Sequence, residues 1–169
     1  MAYQFFIEPL DCKRESVLDG NIDDDLLLQY MKFGHDIHVR NLMGEDLFDR
    51  FQAGLTAADL TTGTDSETDL LNNFIKQMTI HWCLVEIFSF LPYTASSKGV
   101  FKHLSESAEV NSKEENDALV EKHRDIAQHY SRRFVEYMKF NSSSFAEYTS
   151  NTDEETKPST STDFGGWVL

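Results

Sequence analysis

Five large apolar residues, Leu71, Ile75, Met78, Trp82 and Val85, recur at steps of four, three, four and three. That spacing stacks side chains on one face of an α-helix and fits no strand, whose side chains alternate with a period of two. Phe88, Phe90 and Leu91 prolong the apolar surface until Pro92, which cannot continue a helix. Ser66-x-x-Asp69, a capping box with Asp where Glu is usual, marks its start. The most apolar helix of the chain is the expected centre of the fold.

Other helices are legible around it. Asn21 or Asp23 is suited to cap a helix whose first turn carries Asp23, Asp24 and Asp25, acids that favour the positive end of the helix dipole. Leu26, Tyr30, Phe33 and Ile37 then define its expected buried face, and Gly44 its end. Residues 44–55 read as a second, short amphipathic helix with Leu47, Phe48, Phe51 and Leu55 inward, folding back on the first. Ser112-Lys113-Glu114-Glu115 is a capping box, and Leu119, His123, Ile126, Tyr130, Phe134 and Tyr137 mark a long helix reaching about Asn141. The fold class is therefore all-α, a small bundle of about four helices. Three irregular pieces complete the expectation: an extended N-terminal arm, a short β-like arm near 98–103, and an extended tail. Residues 1–141, with the arm over 1–20, form one helical domain, and 142–169 the tail.

The tail is acidic and rich in Ser and Thr, too poor in apolar area to offset its own ordering entropy. It carries Phe164, Trp167, Val168 and Leu169. An apolar cluster on such a tether is expected to anchor on another surface, a neighbouring subunit or ring, by strand addition or in a groove. Removing 158–169 should then leave the fold intact and weaken assembly.

Charge narrows the function classes. Fifteen Lys and Arg against 29 Asp and Glu leave a formal −14 over 169 residues, a field that repels nucleic acid and anionic membranes. No stretch matches a classical export signal or a membrane span, and neither export nor a membrane partner is expected. Cys12 and Cys83 lie far apart without metal-finger spacing, which fits a reducing compartment.

No catalytic constellation emerges, so no enzyme, cofactor or metal is expected. His35 and His38 are three apart on one helix but lack third and fourth ligands nearby. His81 and Cys83 are two apart and so do not face each other on a helix; Cys83 reads as a small core residue and Glu86 as a surface or interface carboxylate. The three acids at 23–25 are explained by the helix N-terminus, with no glycine-rich phosphate loop beside them. Arg132, Arg133, Lys98, Lys102 and Lys139 more simply pair with acids than bind phosphate.

The order of these features resembles the head–tail connector, or ring (adaptor), proteins of tailed bacteriophages, closest to those of crAss-like and other Bacteroidales phages. The likeness covers about Phe5 to Tyr148. Its most specific pieces are Leu42-Met43-Gly44-Glu45-Asp46-Leu47, Lys98-Gly99-Val100 after the Pro-terminated helix, and Tyr137-Met138-Lys139-Phe140-Asn141 to Phe145. The resemblance implies a subunit made in the host cytoplasm and built into the virion neck. There it forms a ring with copies of itself, commonly a dodecamer, binds the portal protein and further ring or tail proteins, and lines a channel through which DNA passes without specific binding. An acidic lumen suits that passage, and a basic one would contradict it. The arm Lys98, Gly99, Val100, Phe101 and Lys102 is a candidate contact with the portal or an adjacent ring. After Tyr148 no family pattern is matched. A reading of another class is a small acidic helical regulator that binds a host enzyme by mimicking DNA. An enzyme using His81, Cys83 or the Asp23 cluster ranks last.

Overall fold

The computed structural model describes residues 3–18, 20–56, 66–90, 93–96, 99–102, 113–149 and 157–160. They form an all-α bundle with one antiparallel strand pair. Helix α1 is Pro9–Arg14. Helix α2, residues 24–43, joins α-helical Asp24–Phe33, π-helical Gly34–Val39 and α-helical Arg40–Met43. Helix α3 is Glu45–Thr56. Helix α4, residues 66–90, joins Ser66–Leu70, a π-helical Leu71–Ile75 and Lys76–Phe90. Strands β1 (Tyr93–Ser96) and β2 (Gly99–Lys102) precede α5 (Lys113–Asn141) and the single turn α6 (Ala146–Thr149).

The chemistry of each helix start is visible. Asp23 caps α2, its side chain accepting from the Asp25 amide at 3.0 Å, and Asp24 pairs with Lys13 at 2.8 Å. Gly44 separates α2 from α3 with φ +77° and ψ 158°, a backbone region that side chains disfavour strongly, so the chain turns there without a loop.

The centre is α4. Every residue from Met78 to Val85 is buried, and its principal neighbours are α5 and α2. Phe48, Phe51, Phe134 and Phe145 are the largest fully buried side chains among the described residues. Leu47, Phe48 and Phe51 turn inward as their spacing predicts.

Four expectations are corrected. The N-terminal arm is not extended throughout: Pro9 opens α1, where its fixed φ and missing N–H suit a helix's first residue. Glu8 and Asp11 cap it reciprocally, and Phe6 and Ile7 are core residues. The face of α2 turned to the core is Leu27, Met31, His35 and Val39, whereas Leu26, Phe33 and Ile37 are 38%, 38% and 51% exposed. The π-helical turn, with its i→i+5 bonds, widens the spiral, so the buried frame advances in steps of four instead of alternating four and three. The β-like arm, expected near 98–103, begins earlier, with strand β1 at Tyr93. The extended tail does not begin at 142. Residues Ser142–Ser144 form a 3₁₀ turn, and Phe145 and Tyr148, three apart, are buried at 0% and 6% exposure, so the packed body runs on through α6. Arg50 fastens this end, pairing with Glu147 at 2.6 Å and with Glu67 of α4.

Candidate interaction surfaces

Helices α2 and α4 run antiparallel, and their closest approach is set by a glycine. A Cβ built on Gly34 would sit 2.8 Å from the Cys83 Cα and Sγ. Beside this crossing the two helices open into a groove. His38 lies flat on Trp82, ring centroids 4.0 Å apart and planes at 9°, and its Nε2 meets Glu86 Oε1 at 2.9 Å. Trp82 donates its indole N–H to Ser131 Oγ at 2.9 Å, and Ser131 donates in turn to the Ala127 carbonyl at 2.8 Å. The floor of the groove is thus a satisfied polar chain tying α2, α4 and α5 together.

At one end of the groove lies a cavity of about 190 Å³ lined by Ile37, His38, Asn41, Leu42, Trp82 and Ser159. At the other, Phe90 stacks on Tyr30 (5.4 Å, 2°) and lies 6.3 Å from Phe33. Phe33, Ile37 and Phe90 all remain well exposed, an apolar stripe at the surface of the described residues.

Segment 157–160 reaches the first end. The Ser159 amide donates to the Asn41 carbonyl at 2.8 Å, and Pro158 packs on Gly44 so closely that a Cβ there would lie 2.6 Å from its Cγ. Gly44→Ala therefore meets two obstacles, a disfavoured backbone and the proline ring. The expected loss is about 2 kcal/mol in urea unfolding, together with loss of exchange protection at the Ser159 amide. A protected amide in the variant would refute the contact.

The strand pair is a second surface. Its register pairs Tyr93 with Lys102, Thr94 with Phe101, Ala95 with Val100 and Ser96 with Gly99. The sheet holds two strands, and among the described residues the outer edges of both have no ladder partner. The arm residues Gly99, Val100, Phe101 and Lys102 are strand β2; Lys98 lies outside the described residues. So do Phe164, Trp167, Val168 and Leu169.

The histidines that sequence singled out part company. His35 is wholly buried among Tyr3, Phe5, Phe6 and Phe48. Neither of its ring nitrogens has a hydrogen-bond partner among the described residues. Burial, with help from the Arg40 charge, pushes its pKa down to about 3. His38 joins the groove instead. His81 meets His123 of α5, Nδ1 to Nδ1, at 3.2 Å, and stacks on Tyr130. Burial and then the His123 charge push His81 down to about 4, and burial lowers His123. Cys83 is a core residue as expected, its thiol raised well above the usual range by burial. Glu86 is partly buried and paired rather than free on the surface. No group of three or more His, Cys, Asp or Glu among the described residues is arranged to hold a metal ion. No helix among them is long and apolar enough to cross a membrane.

The groove as a whole has no signature in the sequence because its walls come from two helices about 45 residues apart. The usable signal, for the α4 wall alone, was the spacing Trp82, Glu86, Phe90, which sets three polar or aromatic side chains on one face of α4.

These features define a small acidic all-α protein with an interhelical groove and a two-stranded arm. It belongs to the DUF6712 family, a family of unknown function, which matches residues 39–158. No curated protein and no solved structure matches the chain.

Proposed function

We propose that the protein is a structural subunit of a phage neck, a head–tail connector ring subunit that binds the portal, lines the DNA passage and catalyses nothing. The observation that carries this reading is the strand pair Tyr93–Ser96 and Gly99–Lys102, interposed between the two longest helices. Two strands alone are marginal in water, and edges without ladder partners gain most when a neighbour supplies a strand. Such an arm is what a subunit needs to reach a portal or an adjacent ring. Phe140, 89% exposed near the end of α5, offers a second apolar contact at the periphery of the bundle. The −14 charge suits a channel wall that DNA must slide past without adhering.

The test is native mass, measured on the protein alone and mixed with the portal protein of the same phage. A closed ring of high order, or a stoichiometric complex formed only with the portal, is the expected result. A monomer indifferent to the portal overturns the proposal and favours an acidic binder of a host protein, whose carboxylates would have to follow phosphate-like spacing over one face.

A further inference from the structure

We infer that a cavity between α1 and the start of α4 receives Phe140 of a second copy of this chain, so that copies join head to tail. Such a contact rests on the connector reading above and names how one subunit of a ring holds the next.

Beside the π-helical turn Leu71–Ile75 of α4 lies a cavity of about 340 Å³, larger than the one in the groove. Phe6, Ile7 and Leu71 form its buried lining, Leu55 of α3 adds a half-buried wall, and Glu8 and Asn72 are exposed at its mouth. An aromatic ring entering it meets apolar side chains below and polar groups only at the rim, the division of labour usual in a binding pocket. Phe140 supplies such a ring. It is the penultimate residue of α5 and 89% exposed, more than any other large apolar residue among the described ones. A rigid helix carries it, so docking costs little ordering entropy, and exposed aromatic anchors of this kind supply much of the energy of an interface.

Charge selects another copy as the partner. Glu8, Asp11 and Lys76 stand around the cavity, two acids and a base. Arg133, Glu136 and Lys139 share the exposed side of the α5 end with Phe140, two bases and an acid. Copies of a chain with a formal charge of −14 repel each other over most of their surface. Residues 132–140, with three bases against one acid, are where one copy can approach the acidic rim of the next.

Knob and hole do not meet within one chain. Phe74 packs on Tyr137 of α5, ring centroids 4.6 Å apart, whereas Asn72 and Lys76, each two positions from Phe74, line the cavity. Residues two apart on a helix do not share a face, so α5 and the cavity lie on different sides of α4. Two different patches on each copy make a heterologous contact, which repeats from copy to copy and closes into a ring where the rotation allows.

Cross-linking between two cysteine variants of the full chain, alone and mixed with the portal protein, tests the contact. Glu136→Cys, one turn from Phe140 and leaving it in place, is mixed with Asn72→Cys at the mouth of the cavity or with Lys122→Cys, exposed in the middle of α5; the native Cys12 and Cys83 are buried. In at least one of the two conditions the disulfide between chains is expected to form about ten-fold faster at position 72 than at 122. Adding Phe140→Asp to the Glu136→Cys chain should erase that preference, by bringing a further carboxylate to an acidic rim, and leave the urea midpoint unchanged because Phe140 is so exposed. Equal rates at 72 and 122 in both conditions overturn the inference, and so does a preference that survives Phe140→Asp. The two readings fail separately. A high-order ring with equal cross-linking rates removes this contact and leaves the connector, whereas preferred cross-linking at 72 without any ring or portal complex upholds the head-to-tail contact and removes the connector.

Discussion

Gly34→Val should cost about 3 kcal/mol of stability, the largest single loss expected from one added side chain in this protein. The new Cβ would lie 2.8 Å from Cys83 Cα and 3.0 Å from its amide nitrogen, and backbone atoms cannot rotate out of the way as a side chain could. The helices must move apart, and everything their closeness permits goes with them: the Cys83 thiol contact with the Met31 carbonyl at 3.5 Å, the His38–Trp82 stack and the His38–Glu86 pair. Urea unfolding reads the loss directly. The double variant Gly34→Val with Cys83→Ala separates backbone from side chain, because it removes the sulfur and leaves Cα and N in place. It should recover little of the loss. Recovery close to the wild-type midpoint would mean that only the thiol was in the way.

The same region explains how far the sequence could be read. The helices at α3, α4 and α5 were legible because apolar residues recur at helical spacing along each, even though α4 is buried on every side from Met78 to Val85 and the buried line of α5 runs through Val120, Ala127, Ser131 and Met138. Helix α2 offered two apolar frames. Leu26-Leu27-Leu28 and Tyr30-Met31 feed either of two adjacent stripes. The stripe with regular four-three spacing is also the more apolar, since the other passes through His35. The protein buries the one with the histidine, because the π-helical turn that begins at Gly34 shifts the spiral and because Gly34 itself lets α4 approach only on that side. Neither fact has a signature in residue periodicity. Phe145 and Tyr148 were overlooked for the opposite reason, two buried aromatics inside a Ser-rich stretch whose average composition suggested solvent. The groove follows from the frame shift: an apolar stripe meant for a core by its pattern is left at the surface, beside the point where segment 157–160 arrives.

Burying the histidine frame also makes the fold sensitive to mild acid, and the expected result is a steep loss of stability between pH 6.5 and pH 5. In the unfolded chain these imidazoles take up a proton near pH 6.5; in the fold His35 does so only near pH 3 and His81 near pH 4. The folded values are depressed, so as pH falls the unfolded state binds protons first. Stability is therefore full above about pH 6.5 and declines down to the folded pKa values. His35 alone accounts for about 2 kcal/mol between pH 7 and pH 5. The His81–His123 contact adds to this, because one ring must accept where the other donates, and a proton on the accepting nitrogen turns the 3.2 Å contact into two donors facing each other. Surface carboxylates ordinarily titrate near pH 4, so this window isolates the histidines from the relief of self-repulsion that a −14 chain gains at lower pH. Urea midpoints at pH 7.5, 6 and 5, measured for the native chain and for His35→Leu, decide the matter. The variant fills an apolar site with an apolar side chain and should flatten the slope by the His35 share. A slope unchanged in His35→Leu would mean that the ring is charged or solvated in the fold, and that the aromatic shell of Tyr3, Phe5, Phe6 and Phe48 does not exclude water from it.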